Sequence, residues 1–197
     1  MSLIQRKIRT VCVFGGSGFL GSHVVHLLAQ MGQQVRVPTR RRERAKHLIV
    51  LPTVDVVNAD VHDDDTLESL ISDADAVINL VGILHEQRKG EFARVHVDLP
   101  RKIAAACRKQ TVQRLIHVSA LKASEDAASA YLRSKAAGER EIRNSHAAGI
   151  HTTIFRPSVI FGREDRFLNL FAGLLRAFPI MPLACPQARL QPIWVED

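Results

Sequence analysis

The feature that most constrains this chain is a short apolar run, Thr10–Phe14, that leads directly into three glycines spaced three residues apart. Gly15 permits a tight turn out of a strand, Gly18 has no Cβ to keep the backbone from a pyrophosphate, and Gly21 lets a helix pack closely on the strand. Amides and the positive dipole end at the start of that helix would hold phosphate oxygens. The stretch therefore predicts a dinucleotide-binding turn, with contacts from Gly15, Gly16, Ser17, Gly18, Phe19, Leu20 and Gly21.

Two alternatives stay open from the glycines alone. Gly16, Gly18 and Gly21 also satisfy a GxGxxG pattern, so the spacing does not decide the subfamily. An ordinary glycine-rich turn would have the same composition, although the strand before it and the helix after it favour nucleotide binding.

Apolar strands alternate with helical segments along most of the chain. Strands are predicted at residues 10–14, 34–39, 54–60, 76–82, 114–119 and 151–156, and helices at 65–72, 92–109 and 131–148. Pro100 predicts a helix start or a kink within 92–109. Right-handed crossovers between such strands give an α/β fold of the Rossmann type, a doubly wound parallel sheet with helices on both faces.

The pattern changes after Pro157. A helix is predicted near residues 165–178, followed by a Pro-rich stretch and a last short β-run at 192–195. We therefore expect a nucleotide-binding domain over residues 1–162 and the start of a smaller substrate-binding portion over residues 163–197.

Ligands of doubly wound sheets bind at the carboxyl ends of the strands, where the winding reverses. Residues that follow a predicted strand are therefore candidates for one crevice. Beyond the glycine loop these candidates are Thr39, Arg40, Arg41, Asp60, Val61, Val81, Gly82, Ser119 and Pro157. Asp60 could accept a hydrogen bond from the adenine amino group, or it could cap a helix.

The end of the second strand bears on which nucleotide is bound. Folds that prefer NAD usually place Asp or Glu there, to accept hydrogen bonds from the ribose hydroxyls. This chain has Thr39 followed by Arg40. A carboxylate would repel a 2′-phosphate, whereas a guanidinium offers it a charge-assisted partner. We therefore predict that NADP(H) is preferred and that NAD(H) is possible, unless Arg40 only stacks on adenine or points to solvent.

The net charge of +7 invites a nucleic-acid interpretation, because six basic residues fall between Arg36 and Lys46. No aromatic residue is interleaved with them to stack bases, so nucleic acid is not an expected partner. A solvated basic helix face accounts for some of these charges equally well.

Cysteine content and hydropathy indicate in which part of the cell the chain is located. The three cysteines, Cys12, Cys107 and Cys185, are widely separated in apolar contexts, so we expect reduced thiols and no metal site. No apolar run approaches the ~20 residues of a membrane-spanning helix, so a cytoplasmic location is expected.

Tyr131 and Lys135 lie four residues apart in a predicted helix, hence on one face, one turn apart. An ammonium near a phenol favours the phenolate and lowers the tyrosine pKa, which suits proton exchange with a substrate hydroxyl or carbonyl. Such a pair arises by chance on many helices. Together with the glycine loop and a strand ending at Ser119, it indicates hydride-transfer chemistry.

These motifs resemble the short-chain dehydrogenase/reductase superfamily in its extended form. The resemblance rests on the glycine loop, on the Tyr131 and Lys135 pair, and on the segment 156–162 after the sixth strand. More narrowly, the chain is similar to the atypical group related to the NADPH-binding accessory subunit of respiratory complex I, through segments 14–21, 131–135, 161–169 and 191–197. The resemblance covers nearly the whole chain.

The resemblance implies roles for three side chains. In the superfamily a Tyr is the acid/base, a Lys binds the nicotinamide ribose and lowers the Tyr pKa, and a Ser beyond the fifth strand holds the substrate oxygen. These roles would pass to Tyr131, Lys135 and Ser119, although Ser119 stands a residue or two before the usual position. His96 stands where the superfamily has an Asn, so the proton relay departs from the usual pattern.

The resemblance also implies that the substrate-binding portion is truncated, since extended members continue further. Two main functions follow. The first is an oxidoreductase, or a relative of the nucleotide-sugar epimerases and dehydratases, acting on a small-molecule or nucleotide-sugar-like substrate. The second is a weak or inactive NADPH-binding accessory protein of a respiratory complex, peripheral to its membrane, or else a redox-sensing regulator. The retained Tyr and Lys favour the first, and the departures at Ser and Asn favour the second.

Overall fold

Six parallel strands form one sheet in the computed structural model, which describes residues 8–147, 149–165, 167–178, 187 and 189–197. They are β1 (Thr10–Phe14), β2 (Gln34–Thr39), β3 (Val54–Asn58), β4 (Ala76–Asn79), β5 (Arg114–Val118) and β6 (His151–Phe155). Their order is β3-β2-β1-β4-β5-β6, so the winding reverses between β1 and β4. The predicted doubly wound parallel sheet is confirmed.

Helices connect these strands on both faces. They are α1 (Phe19–Gln30), α2 (Lys46–Ile49), α3 (Asp64–Ile71), α4 (Glu91–Ala93), α5 (Leu99–Lys109) and α6 (Ala130–Ala147). Helix α3 begins where it does because the Asp63 carboxylate accepts the Thr66 N–H at 2.9 Å, which satisfies an amide of the first turn.

Each face of the sheet carries its own apolar core. The core under α3, α5 and α6 includes Phe14, Leu67, Ile103, Leu115 and Ile142. The core under α1 and α2 includes Val13, Val25, Val37 and Leu48. Neighbouring residues of β1 thus point into different cores, which explains why that strand is a continuous apolar run rather than an alternating one.

The predicted helix 92–109 is interrupted by a π-helical turn, Arg94–Asp98. Pro100 explains the interruption, because it has no N–H to donate to the His96 carbonyl and its ring would clash with that carbonyl in an α-helix. The His96 carbonyl oxygen instead lies against α6, where a Cβ on Gly138 would overlap it. The Pro100 kink and the glycine of α6 therefore form one close helix contact.

A second compact unit runs from Pro157 to Asp197. Its strand β7 (Ile160–Phe161) pairs in parallel with β8 (Ile193–Trp194), and α7 covers Leu168–Ala177. The helix and the last β-run expected in this part of the chain are both present. The first compact unit ends at Arg156. The functional domain boundary that we predict at residue 162 stays a prediction.

The turn between β7 and α7 is held by two side chains. The Asp165 carboxylate accepts the Leu168 N–H at 2.7 Å, which gives the first amide of α7 a hydrogen-bond partner. The Asn169 amide donates to the carbonyl oxygens of Gly162, Arg163 and Asp165. This hydrogen bonding gives a structural reason for the 161–169 motif.

The two cysteines that the structure describes, Cys12 and Cys107, are buried free thiols, and Cys185 and the Pro-rich stretch lie outside the described residues. Among the residues described, no group of three or more His, Cys, Asp or Glu side chains is placed to hold a metal ion. No helix in the described part of the chain is long and apolar enough to cross a membrane.

The contact at Gly138 predicts a specific sensitivity. Gly138→Ala should lower the free energy of unfolding by about 1–3 kcal/mol, since the new methyl group must displace the His96 carbonyl. Gly173→Ala is the matched control, because a Cβ there meets nothing within 4 Å. Urea unfolding of both variants measures the difference, and equal stability of the two would contradict the close contact.

Candidate functional site

The glycine loop joins β1 to α1 with backbone packed on backbone. Gly15 has a φ of +80°, in the region that favours glycine, and a Cβ there would lie 3.0 Å from backbone atoms of Leu80 and Val81. A Cβ on Gly21 would overlap the Gly15 carbonyl oxygen. The start of α1 is thereby held against the ends of both β1 and β4.

Helix α1 begins without a side-chain cap. Its first flanking residue, Gly18, is exposed, and its carbonyl oxygen accepts the Ser22 N–H and the Ser22 hydroxyl, each at 2.8 Å. Amides in the first turn of a helix have no partner within the helix, and the dipole adds positive potential there. The amides of Phe19 and Leu20 are therefore placed to bind an anion.

The other loop residues differ in exposure. Gly16 is buried, and a Cβ there would lie 2.9 Å from a Val37 methyl group, whereas Ser17 is half-buried. Gly16 thus serves the packing of the loop on β2, and Ser17 and Gly18 are its more accessible residues.

The end of β2 forms a short turn closed by Thr39. The buried Thr39 hydroxyl accepts the Arg41 N–H and donates to the Arg41 carbonyl oxygen, both at 3.3 Å. Arg40 and Arg41 are exposed and form no ion pair with any residue that the structure describes. Burial lowers the pKa of His62, after β3, and the charges of Arg94 and Arg40 lower it further, so Arg40 lies near that loop.

The basic run is less uniform than its sequence suggests. The Arg36 guanidinium pairs with the Asp73 carboxylate at 2.5 Å and donates to the Leu70 carbonyl oxygen at 2.8 Å. The five basic residues from Arg40 to Lys46 are exposed instead. Of the six basic residues in this run, these five are the exposed ones.

Asp60 and Val61 follow β3. The Asp60 carboxylate accepts the His62 N–H at 3.0 Å, whereas the cap of α3 is Asp63. Val61 is half-buried and packs against the core under α3, α5 and α6. Of the two roles considered for Asp60, the helix cap is thus taken by Asp63, and adenine binding stays a prediction.

Three elements meet at Gly82, just beyond β4. Val81 N–H donates to the Asn79 side-chain oxygen at 3.1 Å, which fixes the course of the chain into this loop. A Cβ on the exposed Gly82 would lie 3.7 Å from His96 Nε2 and 3.9 Å from Lys135 Nζ. The loop after β4, the π-helical turn and α6 therefore converge here.

Tyr131 and Lys135 face this convergence from α6. The half-buried Tyr131 ring meets the His96 ring edge-on, with centroids 5.6 Å apart. Lys135 is 5% exposed, and its Nζ donates to the Val118 carbonyl oxygen at 2.8 Å. Burial lowers the pKa of Lys135 to about 8, with the Glu139 charge acting in the opposite direction.

The expectation that Lys135 lowers the pKa of Tyr131 is wrong for this structure. Burial raises the pKa of Tyr131 above its ordinary value, and Lys135 is not among the causes of the shift. The Lys135 ammonium donates to the Val118 carbonyl oxygen. At neutral pH the phenol is therefore protonated, in the form that donates a proton.

Ser119 directly follows β5 and lies beside a different part of α6 from Tyr131. Its N–H donates to the Phe155 carbonyl oxygen at 2.7 Å, and its hydroxyl is buried beside Glu139, with no hydrogen bond of ordinary geometry. Glu139 is eight residues beyond Tyr131, which is about 12 Å along a helix. The structure thus brings Ser119 to Glu139, and its catalytic role stays a prediction. Pro157 belongs to the second unit, so its cofactor contact also stays a prediction.

Glu139 is a buried carboxylate that the sequence analysis missed. Its side chain is 2% exposed and pairs with Arg156 through two hydrogen bonds and with Arg143 at 3.1 Å. Burial acts to raise its pKa, but the Arg156 hydrogen bonds, helped by Ser119 and by the arginine charges, bring it below the ordinary value. The spacing from Tyr131 through Lys135 to Glu139, four residues at each step, was the available signal.

Two buried histidines complete the site, and both are neutral at pH 7. Burial, followed by the Lys135 charge, lowers the pKa of His96 to about 4 and that of His117 to about 3, and His96 adds a further contribution at His117. Asn79 is oriented by Val81, so its amide NH₂ donates to His117 Nδ1 at 3.2 Å. His117 therefore carries its proton on Nε2, which is buried without a partner among the described residues.

Comparison with known proteins decides the family. The model of the NAD dependent epimerase/dehydratase family matches residues 11–178. The chain belongs to this family. The chain accordingly has the short-chain dehydrogenase/reductase fold of that family. The functional roles of Tyr131 and Lys135 stay predictions.

Two curated relatives carry different functional names. The chain is 42% identical over 191 residues to NADH dehydrogenase [ubiquinone] 1 alpha subcomplex subunit 9, mitochondrial, of Mus musculus. This alignment covers 94% of this chain and 50% of that protein. It is 36% identical over 188 residues to the ceramide reductase of Caulobacter vibrioides, covering 95% of this chain and 57% of that protein. The chain thus spans about half the length of the curated relatives it matches.

Solved structures agree with the fold. UDP-glucuronic acid 4-epimerase from Bacillus cereus, in complex with UDP-glucuronic acid and NAD, superposes with a TM-score of 0.81 at 18% identity. The match covers 95% of this chain and 69% of that one. At this identity the likeness describes the epimerase/dehydratase fold and nothing finer.

The two neutral histidines predict a pH dependence of stability. Their folded pKa values lie below the ordinary 6.5, so between about pH 4 and pH 6.5 the unfolded state binds more protons. Stability should therefore fall as pH falls through this range, by up to about 1.4 kcal/mol per pH unit for each histidine. Urea unfolding between about pH 5 and pH 7 measures the slope. His117→Gln should reduce it, whereas His151→Gln, at an exposed position, should not.

Proposed function

We propose that this epimerase/dehydratase-family chain binds NADP(H) at the carboxyl ends of β1, β2 and β4 and supports oxidoreduction of a carbonyl or hydroxyl group beside Tyr131. The observation that carries the proposal is the uncapped start of α1 at a glycine loop in which Gly21 leaves no room for a Cβ. Such a helix start offers amides to a pyrophosphate.

The described residues fit a dinucleotide. The glycine loop would hold the pyrophosphate, the turn at Thr39 and Arg40 would lie at the adenosine ribose, and Gly82 with Lys135 would lie at the nicotinamide end. Arg40 is exposed and free of described ion pairs, which leaves its guanidinium available for a 2′-phosphate. This supports NADP(H) as the preferred nucleotide, with NAD(H) possible.

The chain's own groups supply the proton chemistry. When bound, the nicotinamide would supply or accept the hydride. Tyr131 is protonated at neutral pH, so its phenol donates a proton to a substrate oxygen during reduction. Lys135 is positively charged below a pKa of about 8 and holds its place through the Val118 carbonyl, so it favours negative charge near Gly82.

A second candidate function is favoured by the placement of Lys135. Its ammonium is bonded to Val118, and Tyr131 has no lowered pKa, so the pair is less activated than hydride-transfer chemistry calls for. In this alternative the chain retains NADPH as a structural cofactor and serves as an accessory protein, peripheral to a membrane complex. The name of the Mus musculus relative, a subunit of NADH dehydrogenase, supports a respiratory complex as the partner.

Nucleotide preference is tested at Arg40. Arg40→Ala should weaken NADPH binding about 10- to 100-fold, because a charge-assisted hydrogen bond to the 2′-phosphate is lost, and should leave NADH binding nearly unchanged. Titration calorimetry with each nucleotide measures both affinities. Arg44→Ala, an exposed arginine in the same run, is the matched control. Equal losses for NADPH and NADH would remove the argument for a 2′-phosphate site.

The choice between the two functions is tested at Tyr131. Tyr131→Phe should abolish NADPH oxidation with a panel of ketones and nucleotide sugars while leaving nucleotide affinity within about twofold, because only the proton donor is removed. Turnover that survives the substitution would mean that Tyr131 only packs. Stoichiometric NADPH that stays bound through dialysis, without turnover in the unaltered protein, would select the structural cofactor.

A further inference from the structure

His96 contacts more of the candidate site than any role considered for it so far requires. It is 1% exposed and lies in the π-helical turn before Pro100. Its ring stacks on Phe92, with centroids 5.3 Å apart, and meets the Tyr131 ring edge-on at 5.6 Å. Both ring nitrogens are also engaged, each with a different element of the fold.

The hydrogen bonds of His96 fix its proton. Ile83 N–H donates to His96 Nε2 at 3.1 Å, so Nε2 carries no proton. His96 Nδ1 lies 2.7 Å from the Ser134 hydroxyl, and that hydroxyl donates its own proton to the Tyr131 carbonyl oxygen at 2.7 Å. Nδ1 must therefore carry the proton and donate it to Ser134.

Through these two bonds the His96 ring connects two elements of the fold. Ile83 belongs to the loop after β4, next to Gly82, whereas Ser134 lies between Tyr131 and Lys135 on α6. The opposite tautomer would break the bond from Ile83 N–H, and it would keep the Ser134 contact only if that hydroxyl turned away from the Tyr131 carbonyl to donate to Nδ1. A ring without polar atoms would also leave the Ile83 amide unpaired.

We propose that His96 is a positioning residue, whose Nδ1–H tautomer holds the loop at Gly82 against α6 and thereby places Tyr131 and Lys135 beside the nicotinamide end of the crevice. The proposal rests on the proposed function for the meaning of that placement. The hydrogen bonding itself concerns this chain's own residues and is testable without a nucleotide.

The first test reads the tautomer directly in the unaltered protein. Long-range ¹H–¹⁵N correlation spectra of the histidine rings distinguish a protonated from an unprotonated nitrogen. We expect a protonated Nδ1 and an unprotonated Nε2 at His96, and the opposite pattern at His117. A protonated Nε2 at His96 would overturn the proposal.

The second test removes the bonds and keeps the ring. His96→Phe retains an aromatic ring for Phe92 and Tyr131 but neither bond. We expect the Ile83 amide to exchange with solvent at least about tenfold faster. Tyr131 is the only tyrosine, so 3-fluorotyrosine labels it alone, and we expect its ¹⁹F resonance to move. If His96→Phe does not fold, Ser134→Ala takes its place. It removes the acceptor of His96 Nδ1–H together with the Ser134 bond to the Tyr131 carbonyl oxygen, and it should also speed the Ile83 exchange and move the Tyr131 resonance.

A control separates positioning from general destabilisation. Val56→Ala lies in the core on the opposite face of the sheet and should lower the free energy of unfolding. When its loss of stability equals that of His96→Phe, it should still leave the Ile83 exchange and the Tyr131 resonance unchanged. Folded variants at His96 and Ser134 that match the unaltered protein in both readouts would overturn the positioning role.

Nucleotide binding then distinguishes the two proposals. If NADPH binds the unaltered protein, His96→Phe should weaken it and Val56→Ala should not, and equal affinity in all three would overturn the placement by His96. If the unaltered protein binds no NADPH or NADH, the proposed function fails, and the tautomer and exchange readouts still decide whether His96 ties the loop to α6.

Discussion

The structure depends first on how closely α1 approaches β1. No Cβ fits at Gly21 because the Gly15 carbonyl occupies its space, so the first turn of α1 packs directly on the loop that leaves the sheet. The same loop lies against Leu80 and Val81, and Leu80 N–H continues the pairing of β4 with Phe14. A single backbone contact thus sets the uncapped start of α1 and the loop leading to Gly82 relative to one another. These are the two places where the proposed dinucleotide would be held.

The second constraint is the burial of charge under α6. Lys135 and Glu139 are both almost inaccessible, and such groups are costly unless they are paired and hydrogen-bonded. Glu139 is neutralised by Arg156 and Arg143, and Lys135 is bonded to the backbone of β5 at Val118. These bonds attach α6 to the last two strands of the sheet, so the helix that carries Tyr131 is fixed by polar contacts as well as by apolar packing.

Hydrophobic periodicity was enough to predict the sheet, its helices and the glycine loop, because strands buried on both faces are continuous apolar runs. The sequence also predicts a break in the helix at Pro100. It does not predict the π-helical turn, because the position of the His96 carbonyl depends on the space that Gly138 leaves on α6. The pKa of Tyr131 is raised by burial, whereas the sequence predicts that Lys135 lowers it. Spacing along α6 shows that Lys135 and Tyr131 lie on the same face of the helix. It does not show that the Lys135 ammonium donates to the Val118 carbonyl oxygen of β5.

The charge of Lys135 and the neutrality of the two histidines support one another. A proton added to His96 would place a second positive charge near Lys135 and would also break the bond from Ile83, since Nε2 would no longer accept. A proton added to His117 would break the bond from Asn79 for the same reason. Near neutral pH the interior of the site therefore has one protonation pattern of low energy, with Lys135 as a positive charge among neutral rings.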